Sequence, residues 1–516
     1  MTLIDSIKKL FRRGAMNIGL GKSLSKITDD SRISIDPQEY ERIKKDIDYY
    51  TNADEKVEYL NSYGDKKDRV KNKLNITKTA ARRIASIVFN EKANIHIQDD
   101  PEADKFINEV LLDNDFKNQF EEQLEKGIAL GGFAMRPYVS DDKIKIAWIR
   151  ADQFYPLQSN TNNISEAAIA SKTVVTEHDR NAYYTLLEFH RWDKRKGDKG
   201  ESKDVYVITY ELYRNEMASQ VGTQVPLSRL DAYKDLQPEV VIDNFVRPQF
   251  VYFRTPGANN ITLDSPLGVG IVDNAKHVLD DINDTHDQFM WEVRLGSRRI
   301  AVPRSMMKYD SAHKPVFDTE QNVYAPLLTD DAGSVGVKDM TTDIRTQQYT
   351  DALNHFLKEL ETQIGLSVGT FSYSETGLKT ATEVVSDNSM TYQTRSSYLT
   401  MVEKAIGELC TSIVELAGQS QLFSDGKPLF EHDLVNKPLD VVCQFDDGVF
   451  VDKDKQLEED LKTLAAGAMS KATFLVRNYG MSLDDAKKEL ALIQDEAPED
   501  TMFGAQLAKD GGGDGE

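Results

Sequence analysis

TQQYTDALNHFLKELETQIGLSVGTFSYSETGLKTATEVVSDNSMTYQTRSSYLTMVEKAIGELCTSIVEL, residues 346–416, is the stretch whose reading decides the fold. Its first part repeats Leu353, Phe356, Leu357, Leu360 and Ile364 at spacings of three and four. That period puts them on one face of a helix. A polar loop follows, Ser367–Leu378, with Gly369 and Gly377 and neither Arg nor Lys. From Leu378 there is no Pro, and no Gly before Gly407. Val384, Val385, Tyr398, Val402, Ile406, Leu409, Ile413 and Leu416 again fit a helical period, so this segment reads as one helix of about 50–60 Å. Two long helices thus flank an exposed loop of small hydroxyl residues, an aromatic pair (Phe371, Tyr373) and one acid, Glu375.

Two motifs in this stretch point to enzymes and fail on context. Gly365-Leu366-Ser367-Val368-Gly369 has the spacing of the G-x-S-x-G nucleophile elbow, which needs a strand before the serine and a helix at once after it. Here a helix precedes and a loop follows, and none of the eight His is singled out as a base. Gly377-Leu378-Lys379-Thr380 resembles the end of a P-loop, but Gly, Lys and Thr are not contiguous, so the amides that cradle phosphates are missing.

Outward from there, 516 residues at 40% hydrophobic and 29% charged allow two to four domains with real cores. The formal charge is −22, against the basic face of proteins that grip duplex DNA; such a surface suits DNA that passes without sticking. No run of eighteen apolar residues exists, so no transmembrane helix is expected. The N-terminal MTLIDSIKKLFRRGAM is basic and mildly amphipathic and lacks the apolar core of a signal peptide; it reads as an exposed arm. Cys410 and Cys443 read as buried free thiols, the first on a helix and the second in a strand.

Before the decisive stretch, residues 1–36 read as polar and partly ordered. Asp36-Pro37 starts a helix through Tyr49–Tyr50, with Asp36 as N-cap and Pro37 at N1. Ile76, Ala80, Ile84, Ile87 and Val88 mark a second helix, and Ala93–Ile97 a short strand in which His96 is half-buried rather than a metal ligand. Ala103–Leu112 and Phe116–Leu130 are further amphipathic helices, the latter ended by Gly131-Gly132. Between Phe133 and Phe253 the period becomes two, giving six strands of one antiparallel sheet, with Asp193–Asp204 as a solvated hairpin tip. Ser265-Pro266-Leu267-Gly268 opens a long helix with Ile271, Ala275, Val278, Ile282, Phe289 and Val293 on one side, His277 and His286 exposed, and Gly296 at its end. From Ile300 to about Ile344 short strands and turns follow. Beyond Leu416 come a strand containing Cys443, the turn Asp446-Asp447-Gly448, which lacks EF-hand spacing, helices from Asp454, a helix Ser470–Tyr479, a last helix capped at Ser482, and a disordered tail.

Taken in order, these elements form an α+β chain that resembles the portal proteins of tailed bacteriophages, in particular the portal or minor head proteins of phages of Gram-positive hosts. The resemblance rests on Arg294-Leu295-Gly296-Ser297-Arg298-Arg299-Ile300-Ala301-Val302-Pro303, the Gly365-Leu366-Ser367 junction, Gly377–Val384, KLNITKTAARRIASIVFNE near the N-terminus and FLVRNYGMSLDDA near the C-terminus. It covers roughly residues 35–495. It implies a phage portal fold: an N-terminal α+β wing (1–260), a two-helix stem (267–296 and 346–366), a small β-rich clip (297–345), a channel loop (367–378), a long wing helix with wing strands (379–453), a helical crown (454–497) and a tail (498–516). It further implies a homo-oligomeric ring, usually of twelve copies, at one vertex of the virion capsid, assembled in the host cytoplasm. Double-stranded DNA would pass through during packaging and ejection. The partners implied are the terminase large subunit, the head-completion adaptor, and the major capsid and scaffolding proteins, with no membrane, no cofactor, no metal and no catalytic residue.

By position, Gly369, Thr370, Phe371, Ser372, Tyr373, Ser374, Glu375 and Thr376 would face the channel, with Lys379 at the edge as the nearby cation. Arg298, Arg299 and Arg304 would dock partners at the clip. A channel that lets DNA slide should lack deep Lys/Arg contacts, because each phosphate contact adds salt-sensitive grip, and hydroxyls and aromatics can brush phosphates and sugars weakly. The acidic ring would repel DNA at range. A serine hydrolase acting through Ser367, and a capsid-associated scaffold or adaptor without DNA contact, are the alternatives.

Overall fold

The computed structural model describes residues 22–60, 65–90, 92–160, 163–196, 202–243, 245–296, 300–301, 308–309, 315–316, 338–339, 343–373, 388–445, 453–479, 481 and 483–496. The chain divides into two units, Met1–Thr376 with Met390–Phe445, and Gly377–Ser389 with Asp446–Glu516.

In the first unit β1 (Ser23–Leu24) precedes helix α1 (Pro37–Thr51), capped by Asp36, whose side chain accepts from the Gln38 N–H at 2.9 Å. A hairpin follows, β2 (Lys56–Leu60) and β3 (Lys66–Val70), then α2 (Ile76–Val88), β4 (Asn94–Gln98), α3 (Pro101–Asp113) and α4 (Phe116–Leu130). Strands β5 (Gly132–Ser140), β6 (Lys143–Arg150), β7 (Phe154–Asn160), β8 (Asn163–Glu177), β9 (Arg180–Lys196), β10 (Ser202–Asn215), β11 (Gly222–Val225), β12 (Glu239–Ile242) and β13 (Val251–Arg254) come next. Helix α5 (Lys276–Leu295), the strand pieces β14 (Ile300–Ala301), β15 (Lys308–Tyr309), β16 (Pro315–Val316) and β17 (Lys338–Asp339), helix α6 (Thr346–Gln363), helix α7 (Ser389–Ala417) and β18 (Asp440–Gln444) complete it. The second unit holds α8 (Lys453–Ala465), α9 (Lys471–Tyr479) and α10 (Leu483–Glu496). The Ser470 hydroxyl caps α9, accepting from the Thr473 N–H at 3.0 Å.

The architecture is α+β with antiparallel strands, but the single sheet expected between Phe133 and Phe253 is two. One runs β1-β11-β10-β9-β8-β7 with β12 on β10, the other β13-β5-β6. They separate because β5 and β6 present Phe133 and Trp148 to Phe116 and Phe120 of α4. The seam with the larger sheet holds a buried polar cluster beside stacked rings: Arg136 pairs with Glu188 at 2.6 Å, His190 bridges Glu188 and the Tyr206 hydroxyl at 2.6 and 2.8 Å, and Phe154 of β7 stacks on Tyr252 of β13 at 4.9 Å. Burial pushes the His190 pKa down. Residues 22–36 are not loose. β1 extends the large sheet, and Arg32 and Lys22 tie Asp30 to Glu211. Most of the stretch expected as a hairpin tip at Asp193–Asp204 is strand, since β9 and β10 pair out to Lys196 and Ser202.

α7 runs through the core, with Val402, Ile406, Leu409, Cys410 and Ile413 all at 0% exposure. The predicted helix from Leu378 is described only from Ser389; residues 374–387 lie outside the described residues. β18 pairs antiparallel with β4, placing Cys443 opposite Ile95 and leaving His96 half-buried. Cys443 is half-buried rather than buried. The basic N-terminal segment, the Asp446-Asp447-Gly448 turn, the Ser482 cap and the tail 498–516 lie outside the described residues.

Candidate functional site: the α5–α6 pair and the loop that follows

Helix α5 starts at Lys276, not at Leu267 as its apolar pattern predicts. The backbone of residues 267–271 bonds outside a helix instead, to Asn259, Arg42, Thr255, Asp273 and the end of α4. The Ile271 N–H donates to the Ile128 carbonyl at 3.0 Å, and a Cβ on Gly268 would stand 2.1 Å from the Gly131 carbonyl oxygen. Only glycine allows that approach. A buried charge cluster then fixes the helix start against α1. Arg42 reaches Asp273 at 2.6 Å, Asp46 at 3.1 Å and Glu39 at 2.8 Å, and Lys276 reaches Asp46 at 2.6 Å and Asp273 at 2.5 Å. Burial and the neighbouring Asp273 raise the Asp46 pKa to about 7. Burial also pushes Asp273 up, but Arg42, the bond with Asp46 and Lys276 together more than offset this and leave it lowered.

Further along α5 the β2–β3 hairpin docks, an element that the sequence reading did not find. Arg69 holds Asp287 with two bonds of 2.6 Å, Lys71 reaches Asp284 at 2.5 Å, and the Tyr59 ring stands edge-on to Trp291 at 5.0 Å. The Arg69 bond is the main reason that Asp287 is lowered to about 2. The only available signal was an alternation of small amplitude in KVEYL and KKDRV, with charges on both faces. His286 is half-buried rather than exposed, and burial lowers its pKa, whereas His277 is exposed.

α6 returns antiparallel beside α5. Phe289 packs on Tyr349 with ring centroids 5.3 Å apart. Glu292 accepts from the Arg345 backbone at 3.0 Å and from its guanidinium at 2.6 Å, so the chain leaving α5 and the chain entering α6 are joined at the base of the 297–345 insertion. Within that insertion β14 pairs β17 and β15 pairs β16. Arg298, Arg299 and Arg304 lie outside the described residues.

The end of α6 explains the GLSVG motif. Gly365 adopts φ 76°, its N–H donates to Thr362 O at 3.3 Å, and Leu366 N–H donates to Glu361 O at 2.8 Å. This is a Schellman helix stop, in which glycine takes the left-handed residue. Ser367 is 3% exposed. Its hydroxyl accepts from Thr391 N–H at 3.2 Å and from Thr391 Oγ1 at 3.1 Å. Thr391 lies in the first turn of α7, whose N–H groups have no partner within the helix. Ser367 therefore caps α7. The hydroxyl that the hydrolase alternative needs as an exposed nucleophile is buried and engaged with Thr391.

After Ser367 the chain folds back along α6. Glu361, at 0% exposure, accepts through its carboxyl group from Gly369 N–H at 3.0 Å, Ser372 N–H at 2.7 Å, Ser372 Oγ at 2.8 Å, and Phe371 N–H. Asn354 accepts from Tyr373 N–H at 2.8 Å and donates to Tyr373 O at 3.2 Å. The loop is thus not the exposed loop that its sequence predicts. Ser372 is buried and Phe371 half-buried, because Glu361 draws their amides inward, while Tyr373 remains 79% exposed. Thr370 is half-buried, donating through Oγ1 to Ser367 O at 2.6 Å, and Gly369 is exposed at φ 98°. Ser374, Glu375, Thr376 and Lys379 lie outside the described residues. Glu361 and Asn354 were missed as site residues. Their i, i+7 spacing on one helix face was legible, but nothing local says that a loop would return to them.

Among the described residues no group of three or more His, Cys, Asp or Glu is placed to hold a metal ion, and no helix is long and apolar enough to cross a membrane.

The sequence model of the family described as "Phage portal protein, SPP1 Gp6-like" matches residues 29–501. No curated protein matches the chain. A solved structure described as "Neck of empty GTA particle computed with C6 symmetry" is similar at 10% identity, covering 79% of this chain and 88% of that chain, with a TM-score of 0.39. The family match spans nearly the whole sequence, so this chain belongs to the SPP1 Gp6-like phage portal proteins, a structural and non-enzymatic family of the virion capsid whose members form homo-oligomeric rings with DNA and other phage head proteins.

Proposed function

We propose that this portal protein forms the ring, of twelve copies, at the unique vertex of a phage head. Double-stranded DNA is packaged through it and later ejected. In this reading residues 1–260 and 379–453 are the wing, α5 and 346–366 the stem, 297–345 the clip, 367–378 the channel loop and 454–497 the crown. The clip receives the terminase large subunit and later the head-completion adaptor through Arg298, Arg299 and Arg304. The major capsid and scaffolding proteins surround the wing, and the ring is assembled in the host cytoplasm.

The observation that carries this reading is the antiparallel α5–α6 pair. It is joined by Glu292 and Arg345 where the insertion leaves it, and it is followed past α6 by a loop with no Arg or Lys. Such a loop at a channel wall touches a duplex without the salt-sensitive grip that cations add per phosphate. The charge of −22 per chain multiplies round a ring and favours passage over adhesion.

The mass of the purified assembly tests the ring, and a species that stays a single chain at every concentration overturns it. Tyr373→Ala is expected to leave the mass unchanged and to lower the DNA packaged per head. Charge reversal at Arg298, Arg299 and Arg304 is expected to weaken co-sedimentation with the terminase large subunit or the adaptor; unchanged co-sedimentation removes the clip assignment.

A further inference from the structure

We infer that Glu361, together with Asn354, is the positioning residue that sets where the DNA-facing loop stands; this rests on the portal reading above. The two residues are seven apart on α6, hence on one face and about 10 Å apart along it. Between them they take the backbone N–H groups of Gly369, Phe371, Ser372 and Tyr373. Two helical side chains thus do for this loop what a neighbouring strand does for a β-strand.

The geometry calls for an acid at 361. Buried acids are usually held by a cation, yet among the described residues Glu361 has no ion pair. Its carboxyl oxygens instead share three amides and the Ser372 hydroxyl, two donors to each oxygen. A glutamine has the same shape but only one acceptor oxygen, so its NH2 group would face two donors.

The consequence is selective. Phe371 is turned toward the core as Ser372 is drawn to Glu361, and Tyr373, fixed on both sides of its peptide by Asn354, is left 79% exposed. One aromatic ring is thereby presented at a set height on α6. Without the two anchors, Tyr373 has no fixed position on α6.

Hydrogen exchange on the assembled ring carrying Glu361→Gln tests this, with the DNA packaged per head as the second readout. The amides of Gly369, Phe371 and Ser372 are expected to exchange roughly ten- to hundredfold faster, the range for losing bonds to a carboxylate. Those of Leu360 and Val402 should be unchanged, the ring mass should be unchanged, and packaging should fall. Asn354→Ala, at a half-exposed position less exposed to misfolding, is expected to speed exchange at Tyr373 alone and to lower packaging by less. Unchanged loop exchange overturns the inference. So does faster exchange throughout α6 and α7, which would make Glu361 an ordinary core residue. Loop release with packaging at the wild-type level also overturns it; the channel reading itself is judged separately by Tyr373→Ala.

Discussion

At Gly365 the chain needs a left-handed residue, and a Cβ there would stand 2.5 Å from the Thr394 hydroxyl. Gly365→Ala should destabilise the protein by about 1–2 kcal/mol, the cost of left-handed backbone for an L side chain, read as a lower midpoint in denaturant with an unchanged slope. Two residues on, Ser367→Ala removes the acceptor of two Thr391 bonds. It should cost about 1–3 kcal/mol because a buried amide is left without a partner. A loss of stability for Ser367→Ala with ring mass retained is the outcome that fits a cap. That G-x-S-x-G follows a helix here and is no nucleophile elbow was legible from the apolar period before it, but that its serine caps α7 was not, because Thr391 lies 24 residues on.

Among the elements, α1, α2, α3, α4, α6 and the long strands followed from apolar period and caps, since each buries one face and the period records it. The β2–β3 hairpin did not, because it lies on α5 mainly through charge pairs, with the Tyr59–Trp291 ring contact in place of a continuous apolar face. Its attachment depends on Arg69 and Asp287, whose side chains are 15% and 8% exposed. Arg69→Ala should cost about 2–4 kcal/mol, as a buried carboxylate loses its cation. Amide exchange should rise across 56–70 before it rises in α5. The start of α5 was misplaced for a related reason: the apolar stripe continues back to Leu267, but the backbone there bonds outside a helix, to Asn259, Arg42, Thr255, Asp273 and, through Ile271, to Ile128 of α4.

Over the whole molecule, the joint between α1 and α5 makes stability depend on pH. Asp46 is raised from 3.8 to about 7, so the folded state holds its proton more tightly than the unfolded chain does. Stability from this group is full below about pH 4 and is lost as pH rises through about 7. The lowered Asp273 acts in the opposite sense, only at acid pH. His190, lowered by burial, costs stability as pH falls through the ordinary histidine range. The difference between the wild type and Asp46→Asn isolates the joint. Between pH 5 and pH 8 the wild type should lose more stability than the variant, measured by denaturant unfolding at each pH, and parallel pH curves would show that Asp46 does not titrate there.

The sequence alone determined the α+β class, most helices and long strands, the portal resemblance and a cation-poor loop after α6, because these depend on local period, caps and composition. Tertiary structure alone decided that the strands form two sheets, that Arg69 and Asp287 hold a hairpin to α5, that Ser367 caps α7, and that Glu361 and Asn354 hold the loop. Each of these joins residues far apart in the chain or across a turn, where a polar side chain has many possible partners, and only the packed backbone selects one.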